Sequence, residues 1–139
     1  MHESPEKMVM EFRKELDGSD LSELALDMST YRIYNEDAAT VVLAPKGPKN
    51  SIVVWNLLPG QENDYHMHPE TEHIQFVIAG ELEWTLGGAA PVKVTVGNAV
   101  IVPPGIAHGI RNTSDQPASY ASINSPGAYQ KILVERPDH

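Results

Sequence analysis

Four of the chain's six histidines fall in two short stretches: His66, His68 and His73 between Gly60 and Gly80, and His108 just after Pro103-Pro104-Gly105. In an extended strand alternate side chains share a face, so His66 and His68 project together with Met67 opposite. Pro69 lacks a ladder donor and bends or ends that strand. A new alternation then sets His73, Gln75 and Val77 on one face and Ile74, Phe76 and Ile78 on the other, which lets a third imidazole reach the same point. Neutral imidazole suits zinc, iron, copper and nickel and, with oxygen donors, manganese. Converging buried imidazoles need something to satisfy their ring nitrogens, and a divalent transition metal does so. The competing reading of an HxH pair is a pair of ordinary surface or hydrogen-bonded core histidines. The downstream stretch weighs against it.

From Gly97 the chain reads GNAVIVPPGIAHGIRN: a glycine turn, a short apolar strand, a Pro-Pro-Gly turn and a strand that opens with His108. Together the two stretches resemble the paired motifs of the cupin superfamily. The first motif there is G-x5-HxH-x3,4-E-x6-G, met by Gly60, His66, His68 and Gly80. The second is G-x5-PxG-x2-H-x3-N, met in full by Gly97, Pro103, Gly105, His108 and Asn112. Sixteen residues separate Gly80 from Gly97, room for one hairpin. The resemblance covers about residues 51 to 124 and implies an all-β double-stranded β-helix, or jelly roll, with a metal inside one mouth.

One position departs from the pattern. Counted back from Gly80, the place of the family's glutamate ligand holds His73; counted forward from His68 at the shorter spacing, it holds Glu72. Strand register favours His73, because a one-residue slip would turn Glu72 outward. The expected metal ligands are therefore His66, His68, His73 and His108, with three histidines and Glu72 as the alternative. His2 and His139, near the two ends, are expected to be idle.

The elements that must carry these side chains are short. Ser51 to Leu58 is rich in β-branched and aromatic residues and Ala118 to Asn124 reads as a last clear strand; such short runs are separated by Gly/Pro turns at the spacing of an all-β sandwich or barrel. Leu82, Trp84 and Leu86 alternate with polar residues, Gly87-Gly88 supplies a turn, and Val92, Val94 and Val96 return. At the start, Met8, Phe12 and Leu16 recur every fourth position after Pro5, which predicts an amphipathic helix ended by Gly18. Asp20 followed by Glu23 predicts a capped second helical piece with Leu21, Leu24, Ala25 and Met28. The expected organisation is a helical extension over residues 1–30 and one β-barrel domain over 31–139. With no second HxH in the chain, a two-domain version of the fold is not expected.

Net charge −9 and a pI near 5.0 argue against nucleic acid or an anionic membrane surface as partner, since both require a basic patch. Cysteine is absent, which removes disulfides, thiolate ligands and cysteine nucleophiles. The charged start has neither a signal-peptide core nor a membrane span, so the expected location is cytoplasmic.

An imidazole-ligated ion with open positions binds water, substrate or dioxygen, and four neutral ligands leave its charge available to an anionic oxygen. The resemblance implies a metal-dependent small-molecule enzyme, in first place a dioxygenase with iron, manganese, zinc, nickel or copper. The alternatives are a non-redox isomerase, cyclase or lyase, and a binding module without turnover. Gln75 is the candidate for a hydrogen bond to substrate or to a ligand, and Trp55 for the pocket wall, against plain strand and core roles. The apolar row Ile74, Phe76 and Ile78 needs a cover, which predicts a homodimer unless the N-terminal segment supplies it.

Overall fold

The computed structural model describes residues 7–126 and 131–137. Among them the strands are β1 (Lys7–Glu11), β2 (Ala39–Leu43), β3 (Ser51–Leu57), β4 (His66–Met67), β5 (His73–Ala79), β6 (Glu81–Leu86), β7 (Val92–Thr95), β8 (Ala99–Val102), β9 (His108–Arg111), β10 (Ala118–Asn124) and β11 (Ile132–Leu133). They form a six-stranded sheet, ordered β1-β2-β3-β10-β5-β8, and a five-stranded sheet, ordered β11-β4-β9-β6-β7. The two sheets enclose the main core, and this is the jelly roll that the motifs imply.

Period-two alternation decides what goes where. Val41, Trp55, Tyr120 and Val77 sit opposite one another across β2, β3, β10 and β5 and join Leu82, Trp84 and Ile110 of the other sheet in one buried cluster. Their neighbours Val42, Val54, Ala121 and Phe76 share the other face of the six-stranded sheet. There they meet Met10, Leu26, Met28, Tyr31 and Ile33 in a second cluster. Full burial of such a side chain is worth about 1.5–3 kcal/mol, and the partly buried Met10, Leu26, Met28 and Ile33 each gain a fraction of that by docking on the sheet.

That segment corrects the expected helical extension. Where an amphipathic helix was predicted from Pro5 to Leu16, residues 7–11 form an edge strand parallel to β2, with Lys7 opposite Ala39 and Glu11 opposite Leu43. Pro5 lies outside the described residues. A spacing of four fits a helix, but four is also a multiple of two, so Met8, Met10 and Phe12 share a strand face equally well. Met10 packs into the second cluster, and the Phe12 ring meets Tyr31 edge-on at 5.9 Å. The second predicted helix is reduced to two 3-10 turns, Leu21–Glu23 and Met28–Tyr31. The expected cap is present: Asp20 accepts from the Ser22 amide at 3.0 Å, and Asp27 repeats the device on Ser29. Leu21 is 76% exposed, however, and too little apolar surface is buried to extend a nucleated turn into a helix.

The outer row Ile74, Phe76 and Ile78 is partly covered from within the chain. Phe76 and Ile78 pack against the second cluster, whereas Ile74 stays 39% exposed opposite Ile101, which is 63% exposed. Among the described residues no helix is long and apolar enough to cross a membrane.

Candidate metal centre and cavity

The two histidine stretches are brought together by backbone hydrogen bonds between their turns. The Gly105 amide donates to the His68 carbonyl at 2.8 Å, and the Gly60 amide to the Asn112 carbonyl at 2.9 Å. Gly105 has φ +81°, a conformation that a side chain at the Pro-Pro-Gly turn would disfavour. Asn112 closes the far end: its side-chain amide donates to the Leu57 and Gln116 carbonyls at 2.9 and 2.8 Å, and its Oδ1 accepts from the Ser114 amide.

Within this frame His66 of β4 lies opposite His108 of β9. One ring nitrogen from each of His66, His68 and His108 falls within 4.8 Å of the others. Nitrogens on one zinc ion at about 2.0–2.1 Å each are at most about 4.2 Å apart, so small ring rotations suffice. His73 is not in that trio, but its ring stacks on that of His68 with centroids 4.2 Å apart and lies 5.9 Å from that of His108. Across the first turn of β5 the alternation is sharp: His73 and Gln75 are buried and Glu72 is exposed. Glu72 meets Ser125 through its backbone, its amide bonding the Ser125 hydroxyl and its carbonyl the Ser125 amide.

The donor set fits a metal. His66 Nδ1 lies 2.6 Å from the Asp64 carbonyl and His108 Nδ1 lies 3.0 Å from the Ile106 carbonyl. A carbonyl only accepts, so both rings carry their proton on Nδ1 and leave Nε2 with a bare lone pair. His108 Nε2 is buried and has no hydrogen-bond partner. An orphaned acceptor in a buried cluster of imidazoles has the lone pair that a metal ligand needs. His66, His68 and His108 would hold the ion.

Burial lowers the pKa of His66 to about 3, with help from the His108 charge, and that of His73 to about 3, with help from His68 and His108. His108 is lowered to about 4, again chiefly by burial. All three rings are neutral at pH 7. In the unfolded chain they titrate near 6.5, so between about pH 6.5 and 3 the unfolded state binds protons that the metal-free folded state refuses. Stability therefore rises with pH through that window, is complete above it, and falls as acid is added. Melting temperatures of metal-free protein should drop already between pH 6.5 and 5, above the range of ordinary carboxylates. A flat profile there would contradict the buried, neutral cluster.

His66, His68 and His73 open into a cavity of about 340 Å³ whose wall includes Trp55 and Gln75. Gln75 is engaged at both ends: its Oε1 accepts from Trp84 Nε1 at 2.8 Å, and its amide donates to Ser122 Oγ at 3.3 Å, which in turn lies 3.3 Å from His73 Nδ1. This relay holds His73 from behind. Trp55 stacks on Tyr120 at 6.4 Å and belongs to the main core as well. Sequence reasoning missed Tyr120, Ser122 and Asn124, although their alternation along β10 puts them on the face that pairs with His73 and Gln75. It also missed Lys7, Arg13 and Lys131, which complete the wall. For the first two no signal existed once their segment read as a helix.

Comparison with known proteins agrees with this fold. Residues 53–124 match the family model described as Cupin domain. Over 65 residues the chain is 35% identical to the H2HPP isomerase of Bacillus subtilis; the match covers 46% of this chain and 27% of that protein, so the chain corresponds to about a quarter of that relative. A solved structure from Klebsiella pneumoniae, described as an uncharacterized conserved protein with a double-stranded beta-helix domain, superposes with a TM-score of 0.74 at 26% identity. It covers 81% of this chain and 98% of its own. The TT1209 protein of Thermus thermophilus gives 0.68 at 24% identity over 73% and 96%.

Proposed function

This chain belongs to the cupin family, and from that premise we infer that it is a metal-dependent enzyme for a small oxygen-bearing substrate, in first place an isomerase. The observation that carries the reading is the donor set: buried, neutral imidazoles with two bare Nε2 atoms. The trio includes no carboxylate. A divalent ion held by neutral ligands supplies its full charge to negative charge developing on a substrate oxygen. The chain's own residues position and shelter that oxygen. Backbone carbonyls fix the tautomers of His66 and His108, the Trp84–Gln75–Ser122 relay orients His73 as the proposed fourth ligand, and the stacked Trp55 and Tyr120 keep the wall rigid. The isomerase relative supports the same class of chemistry.

A dioxygenase is the second reading, supported by an imidazole donor set that also suits iron and copper. Metal analysis of protein purified without added metal, followed by proton NMR in D2O and an oxygen electrode, tests both. Exchange of the proton next to the carbonyl in simple diketones, without oxygen uptake, is expected. Oxygen uptake with diketones or catechols would establish the dioxygenase instead, and no turnover with any metal would leave a binding module.

The acidic balance supports a small-molecule partner over nucleic acid or an anionic membrane, and a cytoplasmic location goes with this reading. A homodimer also belongs to it. Ile74 and Ile101, opposite one another and exposed, are the part of the outer row that the N-terminal segment leaves bare, and a second copy is the proposed cover. A monomer by light scattering at micromolar concentration would remove it.

A further inference from the structure

The chain carries 19 acidic and 10 basic residues, yet the cavity wall reverses that balance. Its lining includes Lys7, Arg13 and Lys131 and, among the described residues, no aspartate or glutamate. Two of these cations come from the N-terminal segment. Lys7 and Val9 share a face of β1 by strand alternation, and Arg13 follows two residues after the strand ends. The Lys7 ammonium also stands 5.8 Å from the ring centre of Trp55, which places it over the aromatic wall. Lys131, just before β11, lines the same cavity as His66 and His68.

Part of this charge is compensated. Asp64 pairs with Lys131 and lies 3.9 Å from Lys7, and Glu11 accepts from the Arg13 backbone amide. Among the described residues, the three cations thus stand beside two carboxylates, Asp64 and Glu11, neither of which lines the cavity. A cavity wall whose described charged side chains, apart from the histidines, are all cations selects ligands that carry a fixed negative charge. Arg13 has the planar fork suited to a carboxylate, and Lys7 supplies a second point charge.

We propose that β1 and the residue pair Lys7 and Arg13 form a carboxylate-binding subsite at the cavity mouth, so that the substrate of the enzyme inferred above is a small carboxylic acid whose reacting oxygen lies at the histidines. The proposal rests on that functional reading for the role of the inner end of the cavity, but the subsite stands on its own charges.

Calorimetric titration of the zinc-loaded protein with malonate and with acetylacetone separates the two ends. The first is a small dicarboxylate and the second an enolisable diketone without a carboxylate. In the double variant Lys7→Met, Arg13→Gln, malonate should bind about 10–100-fold more weakly, the range of one or two lost charge-assisted hydrogen bonds. Zinc and acetylacetone affinities should be unchanged. Both substitutions lie on an edge strand or beyond it, and an unchanged zinc affinity certifies the fold. An equal loss for both ligands, or no loss for malonate, would overturn the subsite. The same titration on metal-free protein distinguishes its failure from that of the metal reading. If zinc does not bind the native chain, the functional reading falls, while malonate binding that the double variant abolishes upholds the subsite. Absence of malonate binding in both forms of the native protein overturns it.

Discussion

His108→Ala should lower the affinity for zinc or another divalent ion by at least ~100-fold, because losses of groups that merely support a ligand already cost about 10–100-fold. His108 offers the clearest ligand atom in the structure: Nε2 is buried, bare and without a partner, and the Ile106 carbonyl holds the tautomer that makes it so. The companion pair sets the register question. His73→Ala should weaken metal binding by about 10–100-fold or more, whereas Glu72→Ala should leave it nearly unchanged. Competition with a chromophoric chelator at pH 7, where the rings are neutral, measures all three. Retention of metal by His73→Ala together with its loss from Glu72→Ala would show that the exposed carboxylate swings inward and that four neutral ligands is the wrong set.

Gly80→Ala is expected to destabilise the fold by about 2–4 kcal/mol, with the metal site still formed in the folded fraction. Gly80 has φ +73°, which costs an L-residue roughly 1–2 kcal/mol. A Cβ there would also stand 2.6 Å from the Pro117 carbonyl oxygen and 2.9 Å from the Ala118 Cβ, at the start of the central strand β10. Both neighbours are backbone or backbone-fixed, so the turn between β5 and β6 must shift to make room. Urea unfolding at constant m-value reads the change. A loss under about 0.5 kcal/mol would mean that the turn adapts, and that this glycine serves something other than close approach.

The parts of the fold that the sequence discloses are those in which one periodicity admits one structure. Ser51 to Leu58, rich in β-branched and aromatic residues and ended by Pro59-Gly60, forms β3 over Ser51–Leu57, and Ala118 to Asn124, set between turn signals, forms β10 with those bounds. Gly97 to Asn112 is punctuated so densely that its turns could be placed residue by residue. The N-terminal segment failed because Met8, Phe12 and Leu16 satisfy two periods at once, and only the unpaired edge of β2 decides between them. That decision is tertiary and leaves no local trace. Among the site residues, the histidines were legible because their type is rare and their spacing strict. Tyr120 and Ser122 were not, since nothing in an alternating strand says which face looks into a cavity rather than into packed core. The cations of the mouth were hidden twice, by the misread helix and by a chain whose overall charge has the opposite sign.

The register of the five-stranded sheet has a mechanical consequence. β4 meets β9 through a single opposed pair, His66 with His108, and β11 is attached to the sheet through β4. Beyond that pair the seam continues in backbone bonds from Gly60 and Asn63 to Asn112 and Ile110, and the two imidazoles would add a shared ion to it. Loading the centre would rivet that seam: at a free metal concentration about 1,000 times Kd the folded form would gain about 4 kcal/mol, delivered at the His66–His108 pair. Amide hydrogen exchange should show it as a local effect, with residues 66–67 and 132–133 opening readily in the metal-free chain and slowing on loading, while β3 and β10 barely change. Because Lys131 immediately precedes β11, the same rivet would tighten one lip of the mouth. Filling the centre would then raise the chain's grip on an anion that never touches the ion.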